Sequence, residues 1–227
     1  MTQEKCTFNI LSIDGGDIKG IMPAIILKRL VDEVPDLLTD IDLFAGTSTG
    51  GIIALGLAHG LHINTIIELY ATKGDFIFED SLLDDIRDMG SILHSEYNNK
   101  NLKTMLTKTF GTTKLGDLEY KVLVPSFQLD NGQIGYKKRW KPKFHHNFVV
   151  NDPDYTRSVV EVGMKTSAAP TYFPIYDGHV DGGVIANNPS MCAVTQALKF
   201  GIPLEHIRLI SIGTGIIPKY INVLMEN

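Results

Sequence analysis

The chain has 227 residues, 44% of them hydrophobic and 21% charged, the length and composition of a soluble globular protein with one sizeable core. Its 21 Lys and Arg against 26 Asp and Glu leave a formal net charge of −5, which argues against nucleic acid as the main partner. Two cysteines, Cys6 and Cys192, make no disulfide framework, so a reducing compartment is expected. No stretch reaches the roughly 20 apolar residues of a membrane span. Met1-Thr2-Gln3-Glu4-Lys5 opens without the apolar core of a signal peptide. The expected location is therefore cytoplasmic or peripheral to a membrane.

Phe8 to Ile13 reads as a strand running into Asp14-Gly15-Gly16-Asp17-Ile18-Lys19-Gly20. Glycines this dense between a strand and a helix turn backbone N–H groups inward, and such a nest attracts negative charge. Neither GxxxxGK[ST] nor GxGxxG is met, so a nucleotide loop is not expected. A helix follows from Ile21 to Val31, with Pro23 in its first turn. Ile41 to Ala45 then leads into Gly46-Thr47-Ser48-Thr49-Gly50, and Gly51 and the apolar run Ile52 to Ala58 follow. G-x-S-x-G between a short strand and a buried helix is the pattern of a nucleophile elbow. The tight turn lifts the Ser48 hydroxyl clear of the backbone, and side chains at Gly46 and Gly50 would strike the neighbouring elements.

Ile63, Ile66, Ile67 and Tyr70 mark another amphipathic helix. From about residue 74 to 110 apolar residues recur at helical spacing with no strand among them. This insertion reads either as a cap packed on the core or as a mobile apolar cover over the serine. Tyr120 to Phe127 has strand texture, and Asp130-Asn131-Gly132 turns the chain into Gln133 to Lys137 as a hairpin. The basic run Lys137-Lys138-Arg139-Trp140-Lys141-Pro142-Lys143 reads as a solvated loop, with contact to anionic lipid headgroups as the alternative. A helix is expected from Asp152-Pro153-Asp154 to near Pro170, and another from Pro189 through Leu198. Val180-Asp181-Gly182-Gly183 marks a strand end, and Ile207 to Ile212 a last central strand. Alternating apolar strands and helices imply an α/β fold with a mostly parallel sheet. The whole of 1–227 reads as one domain, with a C-terminus that looks truncated after its last strand.

A serine hydroxyl needs a base before it attacks. Of the seven histidines only His206 follows Asp181, and it stands just ahead of a core strand. His145-His146 precede Asp181, and no spaced set of His, Asp and Glu suggests a metal, so neither metal nor cofactor is expected. Asp181 is the better base, at a strand end with two glycines behind it. Asp177, amid Tyr176, Gly178 and His179, reads as part of a turn. A carboxylate is a weak base toward a hydroxyl, so the pair needs close hydrogen bonding in a dry pocket. Backbone N–H groups of Gly15, Gly16 and the following turn are the candidates for stabilising the oxyanion, about 3–4 kcal/mol for one donor.

In these motifs the chain resembles the patatin-like phospholipases, or lipid acyl hydrolases. The family's D-G-G-G-x-[KR]-G is similar to Asp14 to Gly20, its G-x-S-x-G to Gly46 to Gly50, and its D-G-[GA] to Asp181-Gly182-Gly183. Asn187-Asn188-Pro189, Thr166 to Phe173 and Ser211 to Gly215 agree as well. The resemblance implies a three-layer α/β/α core and a Ser48–Asp181 dyad without histidine. The implied activity is hydrolysis of acyl esters of phospholipids, lysophospholipids or galactolipids through an acyl-serine. It implies lipid as substrate and transient membrane-surface contact, and leaves the oligomeric state open. One departure is Asp17, where the family has a third glycine. A carboxylate beside the oxyanion site opposes the developing charge, by at most about 4 kcal/mol at 4 Å and an effective dielectric near 20. The alternative expectation is thus a catalytically impaired lipid- or protein-binding relative.

Overall fold

The computed structural model describes residues 7–16, 20–78, 91–130, 139–170 and 173–215, the side chains of 73–78 and 91–98 excepted. In chain order the elements are β1 (Phe8–Ile13), α1 (Ile21–Glu33), β2 (Leu43–Gly46), α2 (Thr49–Ala58), α3 (Ile63–Phe78) and α4 (Ser91–Phe110). Then come β3 (Lys121–Gln128), β4 (Lys141–His146), α5 (Val159–Thr166), β5 (His179–Asp181), α6 (Gly183–Ala186), α7 (Ser190–Lys199) and β6 (Ile207–Ile212). The sheet runs β4-β3-β2-β1-β6, with β5 paired to β3 as well. β1–β2, β1–β6 and β2–β3 are parallel, and β4 and β5 lie antiparallel to β3.

The central strands are apolar at successive residues because both faces are covered. On one face Leu11, Ile13, Phe44, Val122 and Val124 join a core with Leu27 of α1, Ile53 of α2, Leu106 of α4 and Val162 of α5. On the other, Ile10, Leu43, Ala45 and Leu123 meet Ala193, Val194 and Ala197 of α7. The result is the three-layer α/β/α arrangement. All of α2 is buried, which explains why it is apolar all round rather than amphipathic. Leu102, Met105, Leu106 and Phe110 place the second half of α4 in the main core. Residues 79–90, within the stretch read as a cover, lie outside the described residues, as do Gln133 to Lys137.

Two elements differ from the sequence reading. Lys141 to Lys143, expected in a loop, begin the edge strand β4. Lysine and proline suit an edge, where no further strand needs Pro142 to donate. The helix expected from Asp152 is instead a 3₁₀ turn, Pro153–Thr156, capped by Asp152, whose Oδ1 accepts from Asp154 N at 2.8 Å. Arg157 and Ser158 are extended, and α5 starts only at Val159. Among the described residues no helix is long and apolar enough to cross a membrane.

Candidate active site

β3 arranges the site. With β4 along one edge, its other edge is shared between two shorter strands. β2 pairs parallel with Lys121 to Leu123, and β5 pairs antiparallel with Ser126 to Gln128. β2 and β5 therefore run toward one another along the same edge. They stop with Ala45 opposite Leu123 and Asp181 opposite Ser126, leaving only Val124 and Pro125 between. Ser48 leaves the end of β2 and Asp181 ends β5, so the topology brings both to one gap.

At the gap the chain turns sharply. Ser48 has φ 54° and ψ −123°, a conformation that strains any residue with a β-carbon. A β-carbon on Gly46 would lie 2.0 Å from Gly50 O, and one on Gly50 2.4 Å from Ile13 O, so both positions of the elbow require glycine. Its far side is fixed by Tyr70, whose hydroxyl lies 2.6 Å from Thr49 Oγ1 and donates to Thr49 O at 3.0 Å. Thr47 Oγ1 donates to Ala186 O at 2.7 Å. Ser48 itself is 6% exposed and Asp181 5%, so both are buried.

The residue that joins the two sides is Thr166, the last of α5, to which sequence reasoning gave no individual role. Its Oγ1 accepts from Ser48 N at 2.9 Å and donates to Pro125 O at 2.7 Å. Its carbonyl accepts from Gly182 N at 3.3 Å, and Ala168 O accepts from Asp181 N at 2.8 Å. One helix end thus holds the elbow and the strand that carries the carboxylate. Asp181 Oδ1 accepts from Gly183 N at 2.6 Å. The turn into β5 passes through Asp177 at φ 46° and Gly178 at φ 72°. The buried Lys165 Nζ holds Asp177 Oδ2 at 2.6 Å, and this bond pulls the Asp177 carboxyl below its ordinary range.

The glycine loop lies against the same gap. A β-carbon on Gly15 would stand 3.4 Å from Ser48 Cβ and 2.5 Å from Asn187 Oδ1. The Gly15 N–H donates to Asn187 O at 3.0 Å, and Gly15 O accepts from Asn187 Nδ2 at 3.2 Å and Thr214 Oγ1 at 2.9 Å. This corrects the expectation that the Gly15 amide faces the oxyanion: it is already spent on Asn187. The Gly16 amide has no acceptor among the described residues. Asp17 lies outside them.

A family model described as Patatin-like phospholipase matches residues 11–194, from β1 to α7. The chain belongs to the patatin-like phospholipase family. Curated relatives of this patatin-like chain include a cGAMP-activated phospholipase of Pseudomonas aeruginosa, 31% identical over 215 residues, covering 92% of the chain and 62% of that protein. Another is patatin-like protein 4 of Arabidopsis thaliana, 29% identical over 244 residues, 91% of the chain and 59% of the relative. The chain thus spans about three-fifths of the length of these relatives. Among solved structures VipD from Legionella pneumophila shares the fold, with a TM-score of 0.51 at 15% identity over 92% of this chain and 50% of that one.

The patatin-like core also holds a second serine beside a histidine and an aspartate, which sequence reasoning did not find. Ser126 Oγ lies 3.0 Å from His145 Nε2, and His145 Nδ1 stands 3.6 Å from Asp154 Oδ1. Burial lowers the His145 pKa to about 4, against the pull of Asp154, so near neutral pH its ring is uncharged. Burial alone would raise the Asp154 carboxyl, but His145 and Lys143, whose Nζ lies 2.6 Å away, outweigh it and hold Asp154 well below the usual carboxylate range. Ser126, His145 and Asp154 are all 0% exposed. No ester reaches Ser126, and the three serve as a buried polar cluster joining β3, β4 and the 3₁₀ turn, with one hydrogen bond, between Ser126 and His145, among them.

Proposed function

We propose that the chain is a serine lipid acyl hydrolase of the phospholipase A or lysophospholipase type. The observation that carries this is the meeting of β2 and β5 on one edge of β3, with Ser48 and Asp181 at the facing ends. In this reading Asp181 takes the Ser48 proton as Oγ attacks the ester carbonyl. The Gly16 amide and the loop after it receive the oxyanion. Asp181 returns the proton to the departing alcohol, leaving an acyl-serine. It then takes a proton from water as the hydroxide adds to the acyl carbonyl, and gives that proton to Ser48 Oγ as the Oγ–C bond breaks and the fatty acid leaves. Fatty-acid release from mixed phospholipid vesicles, and hydrolysis of a soluble p-nitrophenyl ester, test it against Ser48→Ala. Equal rates for the two proteins in both assays refute it.

Asp17 favours one other reading, a lipid- or protein-binding relative in which the third loop glycine is lost. Labelling of Ser48 by a fluorophosphonate separates the two. Folded protein that fails to label belongs to the second reading.

A further inference from the structure

Three segments converge beyond the C-terminal end of β3. Gln128, its last residue, pairs with Lys141 of β4 on one side and His179 of β5 on the other. Leu129, which follows Gln128, Trp140, which precedes Lys141, and the turn that precedes His179 therefore lie together. Leu129 N donates to Gly178 O in that turn at 2.8 Å. Each segment sends a large apolar side chain into water: Leu129 is 37% exposed, Trp140 71% and Ile175 59%. The Trp140 ring leans on Phe127 with centroids 5.8 Å apart. Arg139 and Lys141, both exposed, flank it. The acidic residues of this corner among those described are Asp130 and Asp177, and Asp177 is held by Lys165. Asp181 lies only two residues inward from His179 along β5.

We propose that this tip docks the protein on the surface of an anionic lipid bilayer, with Trp140 at headgroup level and Arg139 and Lys141 against lipid phosphates. The inference deepens the lipid-hydrolase reading and rests on it. A tryptophan between two cations suits the boundary of a membrane, where the ring straddles apolar and wet regions and the cations meet a negative surface. In a chain of net charge −5 this corner supplies the attraction that the whole molecule lacks. Docking by this corner brings the strand that ends in Asp181 to the lipid.

Trp140 is the single tryptophan of the chain, so its fluorescence reports this corner alone. The experiment adds vesicles of phosphatidylcholine, or of phosphatidylcholine with phosphatidylglycerol, to the Ser48→Ala protein, and follows Trp140 emission, quenching by brominated lipid and co-sedimentation. Expected are a blue shift, quenching and sedimentation with the phosphatidylglycerol vesicles, all weakened as salt rises. Trp140→Ala lowers vesicle affinity about tenfold. Arg139→Gln and Lys141→Gln lower it about fivefold each. In the Ser48 protein, Trp140→Ala slows hydrolysis of vesicle lipid and leaves p-nitrophenyl ester hydrolysis unchanged.

Sedimentation without a change at Trp140, equal binding to both vesicle types, or no binding to either overturns the proposal. So does a blue shift without vesicles that accompanies a doubled mass, which assigns the corner to a second copy. Loss of ester hydrolysis with the blue shift intact refutes the hydrolase reading and not the docking, and the reverse result refutes the docking alone.

Discussion

Replacing Thr166 by valine keeps the shape of the side chain and removes its hydroxyl. Two buried backbone groups then lose their partner, the Ser48 N–H and the Pro125 carbonyl, now held at 2.9 and 2.7 Å. Each unpartnered group costs about 1–3 kcal/mol, so Thr166→Val is expected to lose about 2–6 kcal/mol. Domains are stable by about 5–15 kcal/mol. A domain in the middle or upper part of that range still folds after the loss, with a melting temperature lower by about 4–24 °C. Thr166→Ser keeps both hydrogen bonds and loses only the methyl, which lies 3.0 Å from where a Gly51 β-carbon would be, at a cost of about 1 kcal/mol. Urea denaturation gives the stabilities, and the rate of Ser48 labelling by a fluorophosphonate gives the state of the elbow. Labelling is expected to slow about a hundredfold in the valine variant, since a misplacement of about 1 Å costs that much. In the serine variant most of it returns. A valine variant within about 0.5 kcal/mol of the parent, the spread of a neutral substitution, refutes the reasoning. So does a serine variant as impaired as the valine one.

Ser48→Gly relieves the positive φ and Ser48→Ala does not, so the glycine variant is expected to be more stable by about 1 kcal/mol in the same denaturation assay. The His145 pKa is lowered from 6.5 to about 4, so below 6.5 the unfolded chain binds a proton that the folded chain refuses. That contribution is fully present above pH 6.5 and fades as pH falls toward 4, by at most about 3 kcal/mol. Urea midpoints should fall over this window, and more gently in His145→Gln. Ser126→Ala is expected to lose about 1–3 kcal/mol by leaving His145 Nε2 unpartnered, while Ser48 still labels with a fluorophosphonate. Asp17→Gly should raise p-nitrophenyl ester turnover if the carboxylate opposes the oxyanion, and an unchanged rate shows it to be harmless.

The strands of the core and the serine turn were legible because their signals are local. An apolar strand, five residues and a buried helix state the elbow within a short stretch. The antiparallel edge was not legible, because Lys141 to His146 carries charged, proline and histidine residues. It is held by pairing with β3, whose Ser126 stands 19 residues from His145. For the same reason the partnership of His145 with Ser126 escaped notice: their adjacency exists only once β4 pairs with β3. Thr166 sat in a stretch already noted, yet its partners Ser48 and Pro125 are 118 and 41 residues away. Gly15 illustrates the limit of motif reading most directly. Its place in a glycine loop suggested a donor for substrate, whereas its amide is claimed by Asn187 from the other end of the chain.

The shared edge of β3 works as a ruler. The span between the facing strand ends is counted out by Val124 and Pro125, and a peptide repeat along an extended strand is nearly invariant. Surrounding helices can drift or be exchanged without altering that measure. A deletion of one residue inside β3 would shorten it by about 3.3 Å and turn the remaining side chains to the opposite face. Tolerance to indels should therefore be lowest at a place that contributes no reacting atom of its own.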